Sequence, residues 1–168
     1  PKILYAVLDW GLGHATRSMV LIHQLIKQGV EVHLASSGKA GRLLQMTFPQ
    51  LSYLELPSYG IRYSKGPAQV WNLMKLTPSV LKVIHLEHKV CQSYIDSKHI
   101  SGIISDHRYG IWHPHIPSTF LAHQLALILP PAFSIFRKNL YRYHLHWLRH
   151  FSNIWIPDRP DTSNLSGR

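Results

Sequence analysis

The sequence predicts an α/β fold built on an open parallel sheet with helices on both faces. Three observations carry this. Short apolar runs alternate with longer segments of helical period. Glycines and prolines punctuate the changes of period. The polar residues of chemical interest follow the ends of the apolar runs, where open α/β sheets place their loops.

The elements follow in order. Lys2–Leu8 is a continuous apolar run and reads as a buried parallel strand. Gly11 and Gly13 make the turn after it. His14–Gln28 reads as a helix, with Met19, Ile22 and Ile26 at spacings of three and four and Leu25 beside them. Gly29 is placed to end it. Val30–Ser36 is a second strand. A second helix starts at Ser37 or Gly38 and runs to Met46. Leu51–Leu56, between Pro49 and Pro57, is a third strand. Pro57–Pro67 is a loop containing Arg62 and Lys65. Ala68–Ser97 is helical, with an interruption at Thr77-Pro78 because proline disfavours helix in the residue before it. Gly102–Ser105 is a strand, and Asp106–Ile116 is a long loop. Ser118–Ala122 is a strand, Ala132–Phe151 a long helix and Asn153–Ile156 a last strand. Pro157–Arg168 is polar and aperiodic. Residues 1–156 are expected to form one domain, and 157–168 the start of a linker towards a second domain outside this chain.

Composition narrows the class. The chain has 168 residues, 45% of them hydrophobic and 15% charged, which suits a globular domain. A single cysteine, Cys91, excludes an internal disulfide and fits a reducing cytoplasm. No apolar run approaches the roughly 20 residues that span a bilayer. Lys and Arg total 18 against 8 acids, a net charge of +10. Such a balance favours an anionic partner, or is offset by an acidic second half. Thirteen histidines are scattered. His113-Pro114-His115, with Pro114 between the histidines and Pro117 just after them, and far from any cysteine, reads as a loop, and no metal site is expected.

A glycine turn between a first strand and a first helix lets a ligand approach the backbone and meet the helix N-terminus. Gly11-x-Gly13 departs from the dinucleotide fingerprint. Thr16 stands where a third small residue belongs, and the second strand ends Ala35-Ser36-Ser37 without an acid. NAD is therefore not expected, and the lysine of a phosphate-binding P-loop is absent. Lys39 or Arg42 leaves an NADP phosphate site as a minor alternative.

The run Trp10-Gly11-Leu12-Gly13-His14-Ala15-Thr16-Arg17 resembles the opening of GT-B glycosyltransferases. It is similar to the group of the bacterial undecaprenyl-diphospho-muramoylpentapeptide N-acetylglucosaminyltransferase, though with a shorter glycine loop. A related set of glycosyltransferases with Gly-x-Gly-His-x-x-Arg looks closer. Ser105-Asp106-His107-Arg108-Tyr109-Gly110, Ile116-Pro117-Ser118 and His123-Gln124 are similar to later segments of that set. Ile156-Pro157-Asp158, with Asn164-Leu165-Ser166-Gly167 after it, looks like its crossing into the second domain.

The resemblance implies the Rossmann-like N-terminal, acceptor-side half of an inverting two-domain enzyme. A C-terminal domain would hold most of a nucleotide-diphosphate sugar, a UDP-sugar first, and no cofactor is expected on this half alone. The acceptor would be a sugar or a lipid-linked hydroxyl, and this half alone would be inactive. His14 and Asp106 are the expected catalytic residues. His14 would be a base or a phosphate contact, its alternative being helix-start structure. Asp106 would orient a histidine or hold an acceptor hydroxyl, its alternative being a loop cap or a pair with Arg108. Gly11, Gly13 and Arg17 are expected near the diphosphate, and Arg17 would pair a phosphate or an acid. His107, Arg108, Tyr109, His123 and Gln124 are expected on the acceptor side.

The helix Ala132–Phe151 carries Phe133, Phe136, Leu140, Trp147 and Phe151 on one stripe. Lys138, Arg142 and Arg149 lie opposite, with His146 between. The simplest reading buries the apolar stripe. The other lays a basic, aromatic face on the inner membrane, with Trp71, Leu73, Met74 and Leu76 beside Lys75 as a second patch. The expected location is the cytoplasm, peripheral at the inner membrane. Two rival functions remain: a nucleotide-sugar hydrolase or epimerase of the same fold, and a non-enzymatic basic module. Nucleic acid is not expected, because no recognised binding pattern is visible.

Overall fold

The structure, a computed structural model, describes residues 1–60, 77–122 and 137–156. The elements are β1 (Lys2–Val7), α1 (Gly13–Lys27), β2 (Glu31–Ser36), α2 (Gly38–Thr47), β3 (Tyr53–Glu55), α3 (Thr77–Lys98), β4 (Gly102–Asp106), β5 (Ser118–Leu121), α4 (Arg137–Leu148) and β6 (Asn153–Trp155). The six strands form one parallel sheet in the order β3-β2-β1-β4-β5-β6. This is the doubly wound order, with its switch point between β1 and β4. The predicted fold class is the observed one, and the predicted strands differ from the observed ones only at their ends.

β1 is central, and every residue from Leu4 to Val7 is fully buried. Its alternation feeds two cores. Tyr5 and Val7 pack with Val32, Leu34, Ala15, Ile22, Leu44 and Phe48 beneath α1 and α2. Leu4 and Ala6 pack with Ala35, Cys91, Ile95 and Ile103 beneath α3. Cys91 is fully buried there, and burial pushes its thiol up. A third cluster joins Phe120 and Ala122 to Leu148 and Phe151.

The punctuation follows the predicted chemistry. Gly29, at φ +76°, ends α1, and the Val30 N–H reaches back to Leu25 O at 3.0 Å. The predicted interruption at Thr77-Pro78 falls at the edge of the described residues, from which α3 is described to Lys98. Residues 68–76, expected to be helical, lie outside the described residues, as does 132–136 of the long C-terminal helix. Of the predicted apolar stripe, Phe151 is buried and Trp147 packs partly buried against the Leu8, Tyr59 and Ile84 cluster, while the side chains of Phe133, Phe136 and Leu140 lie outside the described residues. His144 and Leu148 are buried on the described part of the helix, and Tyr141, Tyr143 and Leu145 are exposed. Tyr109 Oη and His144 Nδ1, 2.9 Å apart, satisfy the histidine on that face.

Candidate active site

The carboxyl ends of β1 and β4 lie side by side, with Val7 in register with Asp106. The chain leaves β1 through Asp9, Trp10 and the glycine turn. Gly11 has φ +81°, which a side chain would strain. Leu12 and Gly13 are exposed, and α1 starts at Gly13 without a side-chain cap or an acid in its first turn. His14 and Arg17 project from that turn, and Ser18 lies on the buried face of α1.

All three converge on Asp106, whose side chain is fully buried. His14 Nδ1 lies 2.9 Å and Arg17 Nη2 2.8 Å from Oδ1. The Ser18 hydroxyl donates to Oδ2 at 2.9 Å, and His107 Nδ1 lies 3.2 Å from Oδ1. Burial opposes the charge on Asp106. The hydrogen bonds from His107 and His14 and the charges of His14 and Arg17 outweigh burial and hold the carboxyl well below the usual carboxylate range. An ionised carboxylate only accepts, so both imidazoles present N–H at Nδ1, and their neutral forms carry the lone pair on Nε2. His14, Asp106 and His107 offer ligand atoms within 4.8 Å of one another. Arg17 already places a positive charge on that same oxygen, so the arrangement suits a caged anion rather than a cation.

Two residues further on, Arg108 departs from its expected place. It is fully buried and does not pair with Asp106. Its guanidinium donates to Val7 O at 2.9 Å, to Pro57 O at 3.1 Å, to Glu87 Oε2 at 3.1 Å and to Ser37 Oγ. Asp9 Oδ1 lies 3.6 Å away, and the Tyr59 ring is beneath the guanidinium at 5.5 Å. A side chain with no solvent exposure cannot reach an acceptor, so Arg108 ties loops together. Burial pushes the Glu87 carboxyl up, opposed by Arg108, by the Tyr59 hydroxyl at 2.7 Å and by the Gly110 N–H at 2.8 Å. Tyr109 is likewise turned inward, against Phe120 and His144.

The structure therefore brings together His14, Arg17, Asp106 and His107, and places the Gly11–Gly13 turn beside them. Arg108 is buried away from any acceptor, and Tyr109, partly exposed, packs against Phe120 and His144. His123 and Gln124 lie outside the described residues. Sequence reasoning missed Ser18 and Glu87. Both carried a signal, because each is a polar residue on a buried stripe: Ala15, Ser18, Ile22 on α1 and Ile84, Glu87, Cys91, Ile95 on α3. Such residues imply buried partners. A separate open groove between α3 and α4 is lined by His85, Arg142, Tyr143, His146 and Trp147. No described helix is long and apolar enough to cross a membrane.

This sheet, with a glycine turn and a buried carboxylate astride its switch point, is the N-terminal half of a GT-B fold. Solved structures share it. MurG of Acinetobacter baumannii superposes with a TM-score of 0.56 at 13% identity, over 99% of this chain and 43% of that one. A UGT transferase from Siraitia grosvenorii in complex with UDP gives 0.57 at 12%, over 94% and 44%. A putative UDP-N-acetylglucosamine 2-epimerase from Listeria monocytogenes gives 0.59 at 8%, over 94% and 39%. The chain thus spans less than half the length of each. No curated protein matches in sequence. The pattern of glycosyl transferase family 1 matches residues 1–108, and the chain belongs to that family.

Proposed function

We propose that this chain is the acceptor-side half of an enzyme that transfers a sugar from a nucleotide-diphosphate donor to a hydroxyl, with His14 as the base. The observation that carries the reading is the 2.9 Å contact between His14 Nδ1 and the buried Asp106. It orients the imidazole with its lone pair on Nε2, and the carboxylate stabilises the imidazolium formed there. The acceptor oxygen attacks the anomeric carbon and its proton passes to Nε2. The bond from that carbon to the diphosphate oxygen breaks, and the nucleoside diphosphate leaves. In-line attack inverts the anomeric centre. Asp106 acts through His14, and Arg17 through Asp106, as positioning residues.

The uncapped N-terminus of α1 behind the Gly11–Gly13 turn supports placing phosphate there, because its N–H groups and dipole favour an anion. A UDP-sugar is the first donor to test, since a neighbour of this fold carries UDP in its own structure. A lipid-linked acceptor is supported by the exposed Tyr141, Tyr143 and Leu145 beside Arg142 and Arg149 on and after α4. Cosedimentation with phosphatidylglycerol vesicles, against phosphatidylcholine vesicles, tests that contact.

The main test incubates the whole protein with UDP-N-acetylglucosamine, UDP-glucose and TDP-glucose, with and without hydroxyl acceptors, and follows products by mass spectrometry. His14→Ala is expected to lower transfer by about a hundredfold or more. Free sugar released at the same rate without acceptor would favour the hydrolase, and a changed sugar on intact nucleotide the epimerase.

A further inference from the structure

Two described non-glycine residues have a positive φ, His99 at 53° and His107 at 58°. His99 has an ordinary reason. It follows α3, where a left-handed residue ends a helix, and the Ile100 N–H returns to Ile95 O at 3.2 Å. His107 ends no helix. It stands between the last residue of β4 and the buried Arg108, where an asparagine or a glycine would turn the chain at less cost. A left-handed histidine persists only where its surroundings hold it.

Those surroundings are visible. The Ser105 hydroxyl donates to Arg108 O at 2.6 Å and closes the turn. The Arg108 guanidinium pins the far side to β1, to the loop after β3 and to α3. The turn directs the His107 ring back over its own strand. Its Nδ1 meets Asp106 Oδ1 at 3.2 Å, and its ring lies 5.1 Å from the His14 ring and 5.5 Å from Phe120. The strained residue therefore bonds the same carboxylate oxygen as His14.

We propose that His107 is a positioning residue for the His14–Asp106 pair, holding the carboxylate so that Oδ1 faces His14 and Oδ2 faces Ser18. The kinetic part of this inference rests on the reading of His14 as the base; the structural part does not. Without His107, Oδ1 loses one of its donors and the carboxylate can rotate against Ser18. His14 then no longer has a single orientation.

Three variants test it. His107→Asn tolerates the left-handed turn and sets an amide N–H where Nδ1 was. His107→Gly relieves the turn without a donor, and His107→Ala keeps the strain without a donor. His107→Gly should be more stable than His107→Ala, with an unfolding constant lower by about fivefold or more. Two-bond nitrogen–proton correlation spectra of the His14 ring report its tautomer. The wild type and His107→Asn should show the Nδ1–H form alone, and His107→Gly and His107→Ala a mixture. In the transfer assay with the panel donor that the wild type uses, the Gly and Ala variants should lose about tenfold to a hundredfold in kcat at unchanged donor KM, and Asn should restore it. An unaltered His14 spectrum in His107→Gly overturns the proposal, whatever happens to kcat. An altered spectrum with unchanged kcat leaves the positioning role in place and removes His14 as the base.

Discussion

Arg108 Nη1 lies 3.1 Å from Glu87 Oε2, and neither side chain reaches solvent. The pair joins the turn after β4 to the middle of α3. Removing one partner leaves the other charged and dry. Arg108→Met should therefore cost about 3–5 kcal/mol. Adding Glu87→Gln to it should return part of that loss. Urea unfolding of the two single variants and the double variant measures the coupling, and strictly additive losses would mean that no ion pair acts there.

Asp106→Asn keeps the side chain's shape and removes its charge. The amide also offers N–H groups where His14, Arg17 and His107 donate. The expected result is a fall in transfer rate of about a hundredfold or more, because the His14 tautomer is no longer fixed. Stability should fall by about 2 kcal/mol through the lost charged hydrogen bonds. Steady-state kinetics and thermal unfolding on one preparation separate the two effects.

Gly110 and Gly41 both look intolerant of a side chain, for different reasons. A Cβ on Gly110 would strike Ile84 O and Glu87 Cγ, and the first of these is backbone. A Cβ on Gly41 would strike the end of the Tyr53 ring, which is only partly buried and can swing away. Gly110→Ala should cost about 2–3 kcal/mol and Gly41→Ala distinctly less. Equal shifts in Tm would show that the α3 contact gives way as readily as a side chain.

The histidines set the acid side of stability. Burial, with neighbouring positive groups, lowers the pKa of His88, His144 and His150. In the unfolded chain each titrates near 6.5. The unfolded state therefore binds more protons as the pH falls below that value, and stability falls with it. Asp106 acts in a separate window. Its lowered pKa gives a contribution that is complete above about 4 and is lost as the pH falls further. Tm should decline from pH 7 to 5.5 and again below pH 4. Asp106→Asn should flatten the second decline and leave the first.

The sheet was legible because its information is local. Apolar runs such as Leu4–Val7 and punctuation such as Gly29 declare themselves within ten residues. His14 and Asp106 were legible because both stand at strand ends beside glycine or in a recognisable segment. Arg108 was misplaced for the opposite reason. Its burial depends on Glu87, Asp9 and the carbonyls of Val7 and Pro57, which come from three separate parts of the chain. Nothing near position 108 marks them. On α4, the buried His144 was not foreseen for the same reason: its partner, Tyr109, stands 35 residues earlier in the chain.

The sheet's strand order also bears on how this protein acquires its structure. β1 pairs on one side with β4, which follows it by about a hundred residues, so Leu4 waits for Ile103. Pairings separated by about a hundred residues make a chain of high contact order, which folds slowly. His14 and Asp106 are 92 residues apart across that same seam. Closing the centre of the sheet and assembling the carboxylate cage are therefore one event. A substitution that delays the docking of β4 delays the appearance of the site by the same factor, even where the finished protein is unchanged.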